Sequence, residues 1–185
     1  MNLLLFGATG MIGSGVLSEC LRDSRIRSVL VIGRSSCGVT HEKVCEIIYA
    51  DLYNLVELKS DLSGAGKSEA EYRWLTYDIT LAAAKPLAEI NPGMTFCYIS
   101  AQGADSSENG GAMWARIKGA TENALFALNL NVYAFRPGLI VPSKGLRARA
   151  RGSITLYMPC LAQLCHYCCA GLQVSLRLLR DYLRR

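Results

Sequence analysis

Seven residues near the start of the chain, GATGMIG (Gly7 to Gly13), restrict its possible folds more than any other stretch. Glycines at positions 7, 10 and 13 follow an apolar run, Leu3 to Phe6, and precede a segment whose apolar residues Ile12, Val16, Cys20 and Leu21 recur at helical spacing. A strand, a turn without bulky side chains and a helix are expected in that order. The alternation then continues. Short runs at Val29 to Ile32, Glu46 to Ala50, Met94 to Ser100 and Val132 to Arg136 read as strands. One helix is expected to begin at Ser68, where the serine hydroxyl and Glu71 form a capping box, and to run to about Ile90, where NPG ends it; another spans about Ala112 to Leu128. Strands alternating with helices require a parallel sheet covered on both faces, a doubly wound α/β fold.

Composition fits a folded domain with an unlike tail. A chain of 185 residues, 51% hydrophobic and 19% charged, is globular and long enough to bury a substantial core. Residues 1–142 carry 12 Lys/Arg against 14 Asp/Glu, whereas 143–185 carry 8 against 1, so the net charge of +5 arises in the tail. The division expected is a sheet domain over 1–150 and a helical, Cys-rich tail over 151–185. Asn2 leads straight into the first apolar run with no signal-peptide pattern, so a cytoplasmic location is expected. The dispersed Cys20, Cys37, Cys45 and Cys97 read as free thiols of a reducing compartment.

The glycine turn also carries a chemical implication. Set between a strand and a helix, G-x-x-G-x-x-G lets the backbone approach a pyrophosphate, whose charge the helix N-terminus stabilises. Gly7, Thr9, Gly10, Met11, Ile12 and Gly13 are therefore candidate cofactor-binding residues; the alternative is a glycine-rich turn that binds nothing. An acidic residue at the end of the second strand would suit the ribose of NAD, and an arginine the 2′-phosphate of NADP. The sequence there is VIGRSS. Arg34, helped by Ser35 and Ser36 and with no carboxylate competing, favours NADP, with NAD the other candidate; a solvated surface arginine is the bland alternative. Asp51, in YADL, is placed to contact the adenine side or to cap the next turn.

Together GATGMIG, VIGRSS, YADL, YISAQGAD, WARIKGATENAL and FRPGLIVP resemble the atypical short-chain dehydrogenase/reductases of the NAD(P)-dependent epimerase-like branch, over residues 1 to about 150. The resemblance implies a Rossmann sheet with the cofactor across the carboxyl ends of its strands. It also implies a catalytic serine, tyrosine and lysine, the lysine four residues after the tyrosine and on the same helix face. On this resemblance Ser100 matches the serine and Lys118 the lysine, which also holds the nicotinamide ribose, and Pro137 and Gly138 pass near the nicotinamide. A rigid exit turn is the plain reading of that last pair.

Two departures from the family pattern stand out. Trp114 occupies the tyrosine's place, and an indole N–H donates a hydrogen bond but has no accessible acid form near neutral pH. Trp114 is left either to roof the pocket or to pack in the core. Tyr98, Tyr133 and Tyr157 each lack a lysine four residues later. The second departure is the sheet, which lacks one strand: LKSDLSGAGKSEAEY offers no apolar run for a fourth strand beside the first.

The tail from Ser153 to Leu176 has no charged residue and arginines on both sides. Its polar and helix-breaking residues favour a helix packed on the domain or a partner, with weak membrane contact the lesser alternative. CLAQLCHYCC has no second ligand pair elsewhere, so no metal site is expected. Nucleic-acid binding is disfavoured because the basic tail lacks interleaved aromatics and any recognisable motif. Two function classes stand: an NADP-dependent oxidoreductase acting on a small carbonyl or sugar-like substrate, and a non-catalytic NADPH-binding sensor or scaffold.

Overall fold

The computed structural model describes residues 1–48 and 68–138. These fall into two compact units, the first within 1–48 and the second within 68–138. The expected boundary at 150/151, the helical tail, Asp51 and the stretch 49–67, where a fourth strand is expected to be lacking, lie outside the described residues.

In the first unit, β1 (Asn2–Phe6), α1 (Met11–Arg22), β2 (Ser28–Gly33) and β3 (Val44–Ile48) follow in chain order. The strands form a parallel sheet of order β1-β2-β3, with Leu3 opposite Val29 and Val31 opposite Glu46. Val29 to Ile32 are buried in the middle strand, as an unbroken apolar run between two parallel neighbours requires. Leu17 and Cys20 of α1 pack with Ala8, Ile26, Val29 and Val31 to form the core. Lys43 Nζ donates to the carbonyls of Leu21 and Asp23 (3.0 and 3.1 Å), which satisfies acceptors left open at the end of α1. The third strand begins two residues earlier than its apolar run suggests, at Val44, because backbone pairing continues through Val44 and Cys45 whatever their side chains do.

In the second unit, α2 (Glu69–Arg73) continues through a π-helical turn (Trp74–Asp78) into α3 (Ile79–Ile90), followed by β4 (Thr95–Ile99), α4 (Met113–Phe126) and β5 (Asn131–Phe135). The expected capping box is formed: Ser68 Oγ accepts from the Glu71 amide at 3.3 Å, and Glu71 Oε2 accepts from the Ser68 amide at 2.8 Å. The π turn is invisible to a 3.6-residue periodicity. Strands β4 and β5 pair in parallel, with Tyr98 opposite Ala134, and Leu81, Ala84, Tyr98 and Leu125 make the core. Arg116 of α4 binds Glu69 of α2 through two 3.0 Å hydrogen bonds. Parallel strands connected through helices make this a Rossmann-like α/β fold.

Candidate functional site

Of the expected site residues that are described, Gly7 to Gly13 and Arg34 follow β1 and β2 in the first unit, while in the second Ser100 and Pro137 follow β4 and β5 and Trp114 and Lys118 lie on α4. After β1, Gly7 takes a left-handed backbone (φ +72°) that favours glycine, and its carbonyl accepts from the Gly10 amide at 3.0 Å, closing a tight turn. Gly10 caps α1 with no side-chain acceptor, and the first helical turn holds no acidic residue. Gly13 has no room for a side chain: a Cβ there would stand 2.0 Å from the Gly7 carbonyl oxygen, so helix and strand-end lie in direct backbone contact. Gly7, Thr9, Gly10 and Met11 are exposed, while Ile12 and Gly13 are half-buried. The turn is thus an open, side-chain-poor rim at the start of α1, and helix N-termini are where anions bind.

Arg34 is exposed, one residue beyond β2. Ser36 does not face it as a free helper. Glu46 of β3 receives a hydrogen bond from Ser36 Oγ at 2.8 Å and another from the Cys37 amide at 2.6 Å. The Cys37 thiol foremost, then the Cys37 amide and Ser36, hold the Glu46 carboxyl below its ordinary range, while burial, aided by Glu46, raises the Cys37 thiol. Glu46 therefore engages the loop that follows Arg34 through Ser36 and Cys37. Parallel register places Glu46 opposite Val31, and its side chain reaches the loop that follows β2.

In the second unit, Ser100 follows β4 directly, and its amide donates to the Phe135 carbonyl at 2.7 Å. Its side chain is 6% exposed, and its hydroxyl has no partner at bonding geometry, although it lies near enough to Glu122 to help keep that carboxylate ionised. Lys118, on α4, donates from Nζ to the Ile99 carbonyl at 3.1 Å, next in the chain to Ser100. Its Nζ also lies 4.9 Å from the centre of the Tyr98 ring. The structure therefore brings Ser100 and Lys118 together. Burial lowers the Lys118 amine to about 8, opposed by the negative charge of Glu122.

Trp114 stands one helical turn before Lys118 and is 41% exposed, so core packing does not account for it. Its ring edge lies 3.4 Å from where a Cβ on Gly103 would stand, and Gly103 has φ +88°. Pro137 follows β5; its carbonyl accepts from the Gln102 amide at 2.9 Å, and a Cβ on Gly138 would meet Gln102 Oε1 at 2.3 Å. The exits of β4 and β5 are tied together in this way.

Sequence reasoning missed Glu122 and Arg136. Glu122 is 2% exposed and sits four residues beyond Lys118 on α4. Arg136 Nε donates to its two oxygens at 3.0 and 3.2 Å, while Nη2 donates to Ser106 Oγ at 2.7 Å. Burial is the largest influence on Glu122 and opposes its ionisation, but the bonds from Arg136, the nearby Ser100 hydroxyl and the charges of Arg136 and Lys118 together hold it below the ordinary carboxylate range. An acidic residue inside the apolar stripe Ala115, Ile117, Ala120, Thr121, Leu125 was the available signal. Asp105, which accepts from the Ser107 hydroxyl and amide and the Gly110 amide, shapes the loop before α4. Among the described residues, no group of three His, Cys, Asp or Glu side chains forms a metal site, and no helix is long and apolar enough to cross a membrane.

No family model matches the chain. A curated relative, the protein fmp52, mitochondrial, of Emericella nidulans, is 26% identical over 159 residues, covering 75% of this chain and 66% of its own length. Among solved structures, MoeE5 in complex with UDP-glucuronic acid and NAD matches with TM-score 0.58 and 22% identity, over 81% of this chain and 58% of that one. The UDP-glucuronic acid 4-epimerase of Bacillus cereus in complex with NAD matches with TM-score 0.54 and 16% identity, over 76% and 57%. A short chain dehydrogenase of Burkholderia cenocepacia in complex with NADP matches with TM-score 0.57 and 16% identity, over 98% and 96%. The chain thus spans less than two thirds of the length of fmp52, MoeE5 and the epimerase. Its fold is that of the Rossmann NAD(P)-dependent epimerases and short-chain dehydrogenases.

Proposed function

We propose that the chain is an NAD(P)-binding protein of the short-chain dehydrogenase and epimerase type, an oxidoreductase using NADP(H) on a small carbonyl or sugar-like substrate. One observation carries this reading: the turn after β1 is open and free of bulky side chains, and any Cβ at Gly13 would collide with the Gly7 carbonyl. Such a cradle fits a pyrophosphate. In the first unit, Gly7 and Gly10 with the amides of Thr9 and Met11 to Gly13 would hold phosphates and Arg34 an adenosine 2′-phosphate; in the second, taken by itself, Lys118 and Pro137 have the chemistry for a nicotinamide ribose. The orphaned, buried Ser100 hydroxyl fits a substrate oxygen as its missing partner. When bound, the dinucleotide would supply or accept a hydride; Ser100 would orient the substrate, and the ion pair of buried Glu122 with part-exposed Arg136 ties α4 to the end of β5. The NAD and NADP named in the matched structures support the cofactor class, and Arg34 supports NADP. A cytoplasmic location, with peripheral contact through the basic tail, is part of the same reading.

Trp114 favours a second reading, an NADPH-binding sensor or scaffold without turnover, because it puts a donor-only indole where a hydroxyl would shuttle the proton. Titration with NADPH and NADH, followed by reduced-cofactor fluorescence, tests both readings. NADPH is expected to bind about tenfold tighter than NADH or more, a preference that Arg34→Ala removes. Binding of neither cofactor dismisses both readings, and NADPH binding without consumption of any aldehyde or ketone leaves only the sensor.

A further inference from the structure

We propose that Lys118 is itself the proton donor of this site, passing a proton from its ammonium group to a substrate carbonyl oxygen held on Ser100 Oγ; the proposal rests on the oxidoreductase reading above. Trp114, where the resemblance expects a tyrosine, has no proton to transfer near neutral pH, so a site that turns over must find another acid. Tyr98 is excluded. Its ring is in the core, its hydroxyl is buried without a partner, and burial raises its pKa further from neutrality, with Tyr72 and Glu122 adding to the rise and Thr121 opposing it. Glu122 is excluded because Arg136 holds it as a carboxylate.

Lys118 meets the geometric requirements. Among the described residues its Nζ spends one hydrogen bond, on the Ile99 carbonyl, leaving two N–H groups for other acceptors. That carbonyl immediately precedes Ser100, whose hydroxyl is buried and unpartnered, so the amine and the orphaned donor share one strand end. The ionisable groups around Lys118 are Tyr98 from β4, Glu122 from α4 itself, Arg136 from the end of β5 acting through Glu122, and Tyr72 from α2 acting on Tyr98. Burial brings the amine to about 8, near the working pH that suits an acid.

In the reductive direction a bound NAD(P)H would supply the hydride to the carbonyl carbon, and the C=O π pair would pass to oxygen. One Nζ–H bond breaks to give the alcohol O–H. NAD(P)⁺ and a neutral amine remain, and the amine recovers a proton from water.

Three measurements on the full chain test this. Amine labelling of Lys118 across pH, read by mass spectrometry, should give a midpoint near 8. With NADPH and a panel of aliphatic and aromatic aldehydes, the rate should fall as pH rises through the same value. At saturating NADPH, Lys118→Arg should lose about 10²-fold or more in turnover. A pH-independent rate from 7 to 9.5, an ordinary lysine titration, or turnover retained by Lys118→Arg overturns the assignment. NADPH binding without turnover of any aldehyde overturns it while leaving the dinucleotide reading intact; binding of neither cofactor removes the oxidoreductase reading and this assignment with it.

Discussion

At the scale of single residues, Gly13 and Lys118 make opposite demands on their surroundings. Gly13 must have no side chain, because the Gly7 carbonyl fills that space. Gly13→Ala should therefore cost about 1–3 kcal/mol by overpacking, read as a lower melting temperature, and should weaken NADPH binding with it. Lys118 instead must tolerate burial. Its folded pKa of about 8 lies below the unfolded value near 10.4, so between those values the unfolded chain binds more protons and stability rises with pH. Urea unfolding at pH 7.5 to 10 should show that rise in the wild type and a flatter profile in Lys118→Met. Both residues were legible in the sequence because their signals are local: glycine spacing after a strand, and a lysine at a fixed place on a helix. The Glu122 partnership with Arg136 was not legible, because it joins residues on α4 and beyond β5 that only the fold brings together. Glu46 escaped for the same reason, its role being set by strand register.

Elements bear out the same division between local and long-range causes. The start of α2 was readable from Ser68 and Glu71, since a capping box is complete within four residues. Ser68→Ala should cost about 1 kcal/mol and increase amide exchange in that first turn. By contrast, the π turn at Trp74–Asp78 leaves no periodic mark in the sequence. Helix α4 is locked from both sides: a Cβ at Gly119 would stand 1.8 Å from the Asp105 carbonyl oxygen, and Arg136 binds Glu122. Removing Arg136, itself 40% exposed, strands a carboxylate that is 3% exposed, and Arg136→Ala should cost about 1–2 kcal/mol in urea unfolding once screening by solvent is allowed for. Because the folded Glu122 pKa is depressed, its contribution is present above the unfolded value and lost as pH falls through the folded one. The acid-unfolding midpoint of Arg136→Ala should accordingly move to higher pH.

For the whole molecule, the fold class followed from the strand and helix alternation alone, and matched structures with 16–22% identity show the same fold. Fold does not name a substrate, however; function resides in the site placed on it. On the proposed function, the turn after β1 grips a dinucleotide. Saturating NADPH, at about 100 times its Kd, should stabilise the protein by about 2.7 kcal/mol. A thermal shift alone does not say where the ligand sits. Amide hydrogen exchange, compared with and without NADPH, resolves that position by position. We predict slowed exchange concentrated at residues 9–14; binding that leaves those amides unchanged, or no binding, would contradict the claim.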